Sequence, residues 1–254
     1  MKIFLFIFVL SFFNNSYGET ISITNGEWPP YLSKKVAYNG IGSHIVEELF
    51  KQVNVKVKWG IFPWNRSIKQ AKIGTKWEAA ALWLKTDKRK ESFDFSTPVL
   101  SQKVVFFYHK NSAFDWKNIE NLKEFKIGVT QGYSYGQKLD EAIKNKKIKV
   151  RVANKDELNL LKLAKKRIDA FPIAKMVGIA MIEKLKEKYP KNKELSSLTF
   201  NNRPVHTSDL YLLFSKNRKN KGIVKKFNKG IKLIREKVLY KKILSDAAKG
   251  TYSK

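Results

Sequence analysis

The chain contains no cysteine and only three histidines, His44, His109 and His206. Without cysteine there is no disulfide framework, no thiol nucleophile, no Cys-ligated zinc or iron–sulfur centre and no lipid-modified N-terminal cysteine. The histidines are far apart and in no ligand spacing, so neither a metal nor another cofactor is expected. Acids are scarce as well: 22 Asp+Glu stand against 51 Lys+Arg, a formal charge of +29 on 254 residues. Past residue 18 no apolar run approaches the roughly 20 residues that a membrane-spanning helix needs.

What is present is enough to fold. At 43% hydrophobic and 13% aromatic, the chain has the apolar content of a globular protein, as one large domain or two small ones. The positive balance admits nucleic acid, an anionic membrane or an anionic ligand as partner. The lysines run from Lys34 to Lys254 with only short clusters, at Lys146-Lys147, Lys165-Lys166-Arg167 and residues 216–221. Nucleic-acid binders concentrate cations on one stripe with aromatics interleaved. The expectation is therefore a solvated lysine-rich surface and no nucleic-acid partner, with a polyanion binder as a rival.

Residues 1–18 have the layout of a secretory signal peptide. Lys2 supplies the positive start, residues 3–13 are apolar apart from Ser11, and Ser16-Tyr17-Gly18 offers a cleavage site after Gly18. The run is too short for a membrane anchor. An exported, monomeric protein is expected, in a periplasm and not as a lipoprotein.

The remainder alternates between periods of two and 3.6 residues. Strands are expected at 20–24, 55–59, 77–83, 104–108, 125–129, 148–152, 168–171 and 210–214. Helices are expected around Ile41–Val53, from Pro63-Trp64 to Lys72, after Ser134, from Asn154 with Glu157 as a capping box, over 174–186, and along Phe227, Ile231, Ile234 and Val238. Residues 110–117 read as a polar break between two such sets. This alternation implies an α/β architecture with largely parallel strands.

Five stretches, in order, resemble one family. They are Gly26-Glu27-Trp28-Pro29-Pro30-Tyr31; Pro63-Trp64-Asn65-Arg66 with Ala71 and Gly74; Thr86-Asp87-Lys88-Arg89 leading into Phe93-Asp94-Phe95-Ser96-Thr97-Pro98; residues 127–136, I-G-V-T-Q-G-Y-S-Y-G; and Arg167-Ile168-Asp169-Ala170. Together they are similar to the type 3 periplasmic solute-binding proteins, the receptors of polar-amino-acid ABC importers. The resemblance implies a two-lobed periplasmic-binding-protein type II fold, a flytrap with a two-stranded hinge. Residues 19–108 plus 209–254 would form lobe 1 and 109–208 lobe 2. The implied partners are a small-molecule ligand and an inner-membrane ABC permease or sensor.

Seven residues are candidates for the ligand site. Trp28, Trp64 and Trp83 lie beside turns or strand ends, where indoles either clamp the planar part of a ligand or pack in the core. The family alignment favours the first reading. Arg89 offers paired donors to a carboxylate and occupies the family's carboxylate-binding position. Tyr133 and Ser134 lie in a strand-to-helix turn whose N–H groups suit an anion. The family's ammonium-binding acid falls at Ala174 and its other early carboxylate near Asn25, so neither is kept; Glu27 is the candidate replacement. A buried amine without a carboxylate is costly. The ligand expected is thus amino-acid-like, a carboxylate, or another anionic or amphiphilic solute. The rival is an exported hydrolase or lyase, because G-Y-S-Y-G around Ser134 with His206 downstream has the form of an esterase motif.

Overall fold

The computed structural model describes residues 18–235, 238–248 and 252; the signal-peptide expectation for residues 1–18 lies almost wholly outside them. The first half runs β1 (Glu19–Asn25), α1 (Ile41–Lys51), β2 (Val55–Ile61), α2 (Trp64–Ile73), β3 (Ala79–Trp83), α3 (Asp87–Lys90) and β4 (Phe93–Phe95). It continues through β5 (Leu100–His109), β6 (Lys126–Thr130), α4 (Gln137–Lys144), β7 (Lys149–Ala153), α5 (Asp156–Ala164), β8 (Ala170–Ala174) and α6 (Lys175–Lys188). The long strand β9 (Leu198–Ser215) then leads to α7 (Ile223–Arg235) and α8 (Val238–Ala248).

Strand order is β2-β1-β3-β9-β5-β8-β6-β7, with β4 also pairing β9. Two parallel trios are therefore built alike, β2-β1-β3 and β7-β6-β8, and each is closed by an antiparallel strand, β9 and β5 respectively. The expectation of largely parallel strands holds within each trio. Strand β9 joins them: its C-terminal residues pair β3 and β4, and the rest of it pairs β5 from Leu100↔Leu210 to His109↔Leu198. The result is the two-lobed mixed α/β fold.

Alternation along β5 sorts its side chains onto two faces. Val105 and Phe107 join the core that contains Phe171, Leu160 and Ile182, whereas Val104 and Phe106 join Phe114, Trp116, Ile127 and Leu139. Residues 110–117 are consequently not a purely polar break. Phe114 and Trp116 are buried, and each packs edge-on against Phe106 at ring separations of 5.4 and 5.0 Å. Other expectations need correction too. The closing helix is two helices, α7 and α8, and the strand expected at 210–214 is the tail of an 18-residue strand. Pro204 hid its first part, since a proline inside a strand is tolerated only at an edge or irregularity, and here the register shifts beside it. The capping box of α5 does not form. That helix opens at Asp156 after Lys155 with no side-chain cap, and Glu157 pairs instead with Lys188 at 2.8 Å.

Candidate functional site

The carboxyl ends of the parallel strands, together with their following turns, carry most of the site residues, the usual place for ligands in open α/β sheets. All seven sequence-derived candidates border two adjoining cavities there. One, of about 290 Å³, is bordered by Glu27, Trp28, Tyr133 and Ser134. The other, of about 350 Å³, is bordered by Trp28, Trp64, Trp83, Arg89 and Tyr133. Trp28, Gln102 and Tyr133 belong to both walls.

Three indoles form a continuous aromatic wall. Trp28 is held in a tight turn in which its N–H donates to the Leu32 carbonyl at 2.6 Å and its carbonyl accepts from the Leu32 N–H at 2.9 Å. Trp64 begins α2 and meets Trp28 edge-on at 6.5 Å. Trp83, the last residue of β3, meets Trp64 edge-on at 5.0 Å. Gly26 makes the approach feasible, because a Cβ there would lie 2.4 Å from the Trp64 ring. Gly26→Ala is expected to push the Trp64 indole out of place. The checks are a shifted tryptophan emission in the free protein and a several-fold weaker ligand affinity.

Arg89 ends this wall. Its guanidinium lies over the Trp83 ring, 4.6 Å from the centroid, and Nη1 donates to the Leu84 carbonyl at 2.6 Å. The short helix α3 that carries it is capped by Thr86, whose hydroxyl accepts from the Arg89 N–H at 3.3 Å. Partial burial pulls the guanidinium's pKa down, yet an arginine stays charged at neutral pH. It is thus a cation whose fork is partly used to fix its direction. Beside it, the Trp83 indole N–H and the Gln102 side-chain oxygen are buried and make no hydrogen bond among the described residues.

The facing wall comes from the turn after β6. Ser134 does not cap α4, as the strand-to-helix reading implied; Gly136 is the N-cap, and the turn bends at Gly132 and Gly136, whose φ values are +79° and +98°. The Ser134 hydroxyl donates to the Asp140 carboxylate at 2.5 Å, while His206 Nε2 bonds the Ser208 hydroxyl at 2.7 Å. The hydroxyl and imidazole of the esterase reading are therefore each engaged elsewhere. Tyr135 is buried. Its hydroxyl accepts from the Thr130 N–H at 2.6 Å, and burial pushes its pKa up to about 12. Tyr133 is exposed at the cavity mouth. Glu27 is exposed as well, and its carboxylate accepts from the Lys34 N–H at 3.4 Å.

Residues 21–247 match the family model of the bacterial extracellular solute-binding proteins, family 3. The chain belongs to that family.

Among family 3 relatives, the "Probable histidine-binding protein" of Campylobacter jejuni is 29% identical over 225 residues, covering 86% of this chain and 81% of that protein. The "Probable amino-acid-binding protein YxeM" of Bacillus subtilis is 22% identical over 164 residues, 65% of this chain and 62% of the relative, just under two thirds of its length. In three dimensions, substrate-binding domain 2 of GlnP from Lactococcus lactis, in an open conformation, superposes with a TM-score of 0.70 at 17% identity, covering 90% of this chain and 94% of the other. This last similarity shows the fold alone.

Within this family 3 chain, two polar cavity residues, Gln102 and Asp156, escaped the sequence reading. Gln102 follows the Phe-Ser-x-Pro segment at the start of β5, where alternation marks only a strand. Asp156 opens α5 and borders the smaller cavity. A legible signal existed: β7 is the parallel neighbour of β6, so the turn after it lies beside the turn carrying Tyr133. Ala174 borders the same cavity. Asn25, by contrast, is fully buried at the end of β1, with both side-chain amide atoms unpartnered among the described residues. No group of three or more metal-ligating side chains occurs among the described residues, and none of their helices is long and apolar enough to cross a membrane.

Proposed function

We propose that this family 3 protein is an exported periplasmic receptor that closes two lobes around a small solute for an ABC-type importer or sensor. Residues 19–108 with 209–254 act as one lobe and 109–208 as the other, and β5 and β9 provide the hinge crossings. Arg89 holds an anionic group of the ligand, and Trp28, Trp64 and Trp83 cover its apolar or planar part. Tyr133, Ser134 and Glu27 contribute from the facing side. The receptor acts as a monomer, exported by the signal peptide at residues 1–18. Closure is what the membrane partner reads, since only the closed form presents both lobes in one arrangement.

The observation that carries this reading is convergence. Side chains drawn from residues 27 to 134, on the two halves of the sheet, meet around adjoining cavities that share Trp28, Gln102 and Tyr133. Three of the six tryptophans border that space, so ligand capture should change the emission. The test is a tryptophan fluorescence titration of residues 19–254, unfolded and refolded to strip carried-over ligand. Amino acids, including L-histidine and L-cystine, are the first probes, with organic acids, short peptides and sugars after them. A saturable response to one chemical class is expected. A well-folded protein silent to every class would overturn the receptor reading.

A further inference from the structure

A third cavity continues the first. Its volume is about 740 Å³, more than twice that of either cavity described above, and it shares Glu27, Pro29, Val177 and Met181 with the 290 Å³ one. A ligand chain that leaves the smaller cavity between these residues enters the larger chamber directly.

The chamber lies between residues 27–36 and α6, and both walls are held in place. In the first, the Ser33 N–H donates to the Asn39 carbonyl at 2.9 Å and the Ser33 hydroxyl accepts from the Lys35 N–H at 3.1 Å. The N–H groups of Ile41 and Gly42 bond back to the Pro30 and Tyr31 carbonyls at 2.9 and 2.8 Å. The second wall is one face of α6, since Val177, Ala180, Met181 and Lys184 follow helical spacing. Val36 adds apolar surface from the first wall, and Met181 is a side chain that adapts its shape to an occupant.

Lysines border this chamber and neither of the smaller cavities. Lys34 and Lys35 stand on one wall and Lys184 on the other, all three exposed and without an ion-pair partner among the described residues. Glu187 is the one acid that belongs to this wall alone, Glu27 being shared. Lysine stems lie along apolar surface and place their ammonium groups at its edge. An anion that reaches this edge therefore meets three positive charges. The chamber alone is within the range of about 300–1,000 Å³ usual for a whole ligand, and with a free amino acid in the smaller cavities it would hold only water.

We infer that the receptor takes a solute longer than a free amino acid, with one anionic end at Arg89, a stem past Val177 and Met181, and a second anionic end at Lys34, Lys35 and Lys184. A short peptide with a carboxylate at each end has this form. The three lysines then determine ligand length and far-end charge, and the inference rests on the receptor reading of the same cleft.

The test uses matched peptides that differ in one far-end carboxylate. N-Succinyl-oligoalanines of one to four residues are titrated calorimetrically beside their N-acetyl forms, with the refolded chain at neutral pH and constant salt. At the length that spans the cavities, the succinyl form should bind about tenfold or more tightly than its acetyl partner, the sum of three partly screened charge contacts. In the triple variant Lys34→Gln, Lys35→Gln, Lys184→Gln that preference should fall to about twofold, while the acetyl form and the melting temperature hold. Lys56, Lys58 and Lys69 are exposed and border none of these cavities, so their replacement by Gln should leave the preference intact. A preference lost equally in both variants would reflect the overall positive field and overturn the inference. Equal affinity for the two forms at every length would overturn it as well. So would a cavity-lysine variant that weakens succinyl and acetyl ligands alike, since those lysines would then act on closure. A chain that responds to free amino acids or another solute class but to no acylated peptide overturns the inference and keeps the receptor. Silence to every solute overturns both.

Discussion

Arg89→Ala is expected to weaken ligand binding by about 30- to 1,000-fold, or about 2–4 kcal/mol, with little change in melting temperature. Stability and binding rest on different contacts of this side chain. For stability, Arg89 contributes one hydrogen bond to the Leu84 carbonyl and a contact with the Trp83 face at a half-exposed position. Such contacts are worth about 1 kcal/mol together. For binding, it is the only cation among the described residues that border its cavity, so its removal leaves a desolvated anion without a partner. Arg89→Lys should recover only part of the loss, because an ammonium restores charge but not the planar fork. Calorimetric titration beside a thermal melt checks both halves. An affinity unchanged in Arg89→Ala would remove Arg89 from the site whatever the ligand proved to be.

Phe107→Ala should cost about 3–5 kcal/mol of folding stability, read as a lower urea midpoint at unchanged slope. Phe107 is 1% exposed on β5, in register with Phe171 and Phe200 on its two neighbours, with the Phe200 ring 5.4 Å away. Its ring also fills the space above Gly178 of α6, where a Cβ would lie 2.5 Å from it. Gly178→Ala alone should overpack this contact and cost about 1–3 kcal/mol. In the double variant the new methyl group occupies part of the space left by the ring, so the combined loss should be smaller than the two added together. Strict additivity would show that the two positions do not share packing, contrary to the geometry.

Local sequence information sufficed for some elements and not for others. Most strands and helices of the two trios were legible, because their apolar periods persist within single segments: Ile41, Ile45 and Leu49 define α1, and residues 55–59 define β2. The first part of β9 was not, because residues 201–206 are mostly polar and interrupted by Pro204, and they are held as a strand by pairing with β5. Burial of Phe114 and Trp116 was equally invisible, since it depends on Phe106 presenting a face to them. For the cleft, six of the seven candidates came from ordered motifs, and Trp83 came from its place at a strand end. Gln102 and Asp156 carried no motif and became visible only once neighbouring strands were placed.

By itself, the sequence determined the excluded chemistries, the α/β alternation and the ordered segments that identify family 3. Each of these is a property of composition or of residues close together in the chain. Only the tertiary structure decided that Arg89 joins the three indoles around one cavity while Glu27 and Asp156 border the next. Which side chains share a cavity depends on which strands are neighbours and where their turns point, and long-range pairing sets both. A net charge of +29 describes the surface as a whole, and the few side chains that border the cleft contribute little to that total.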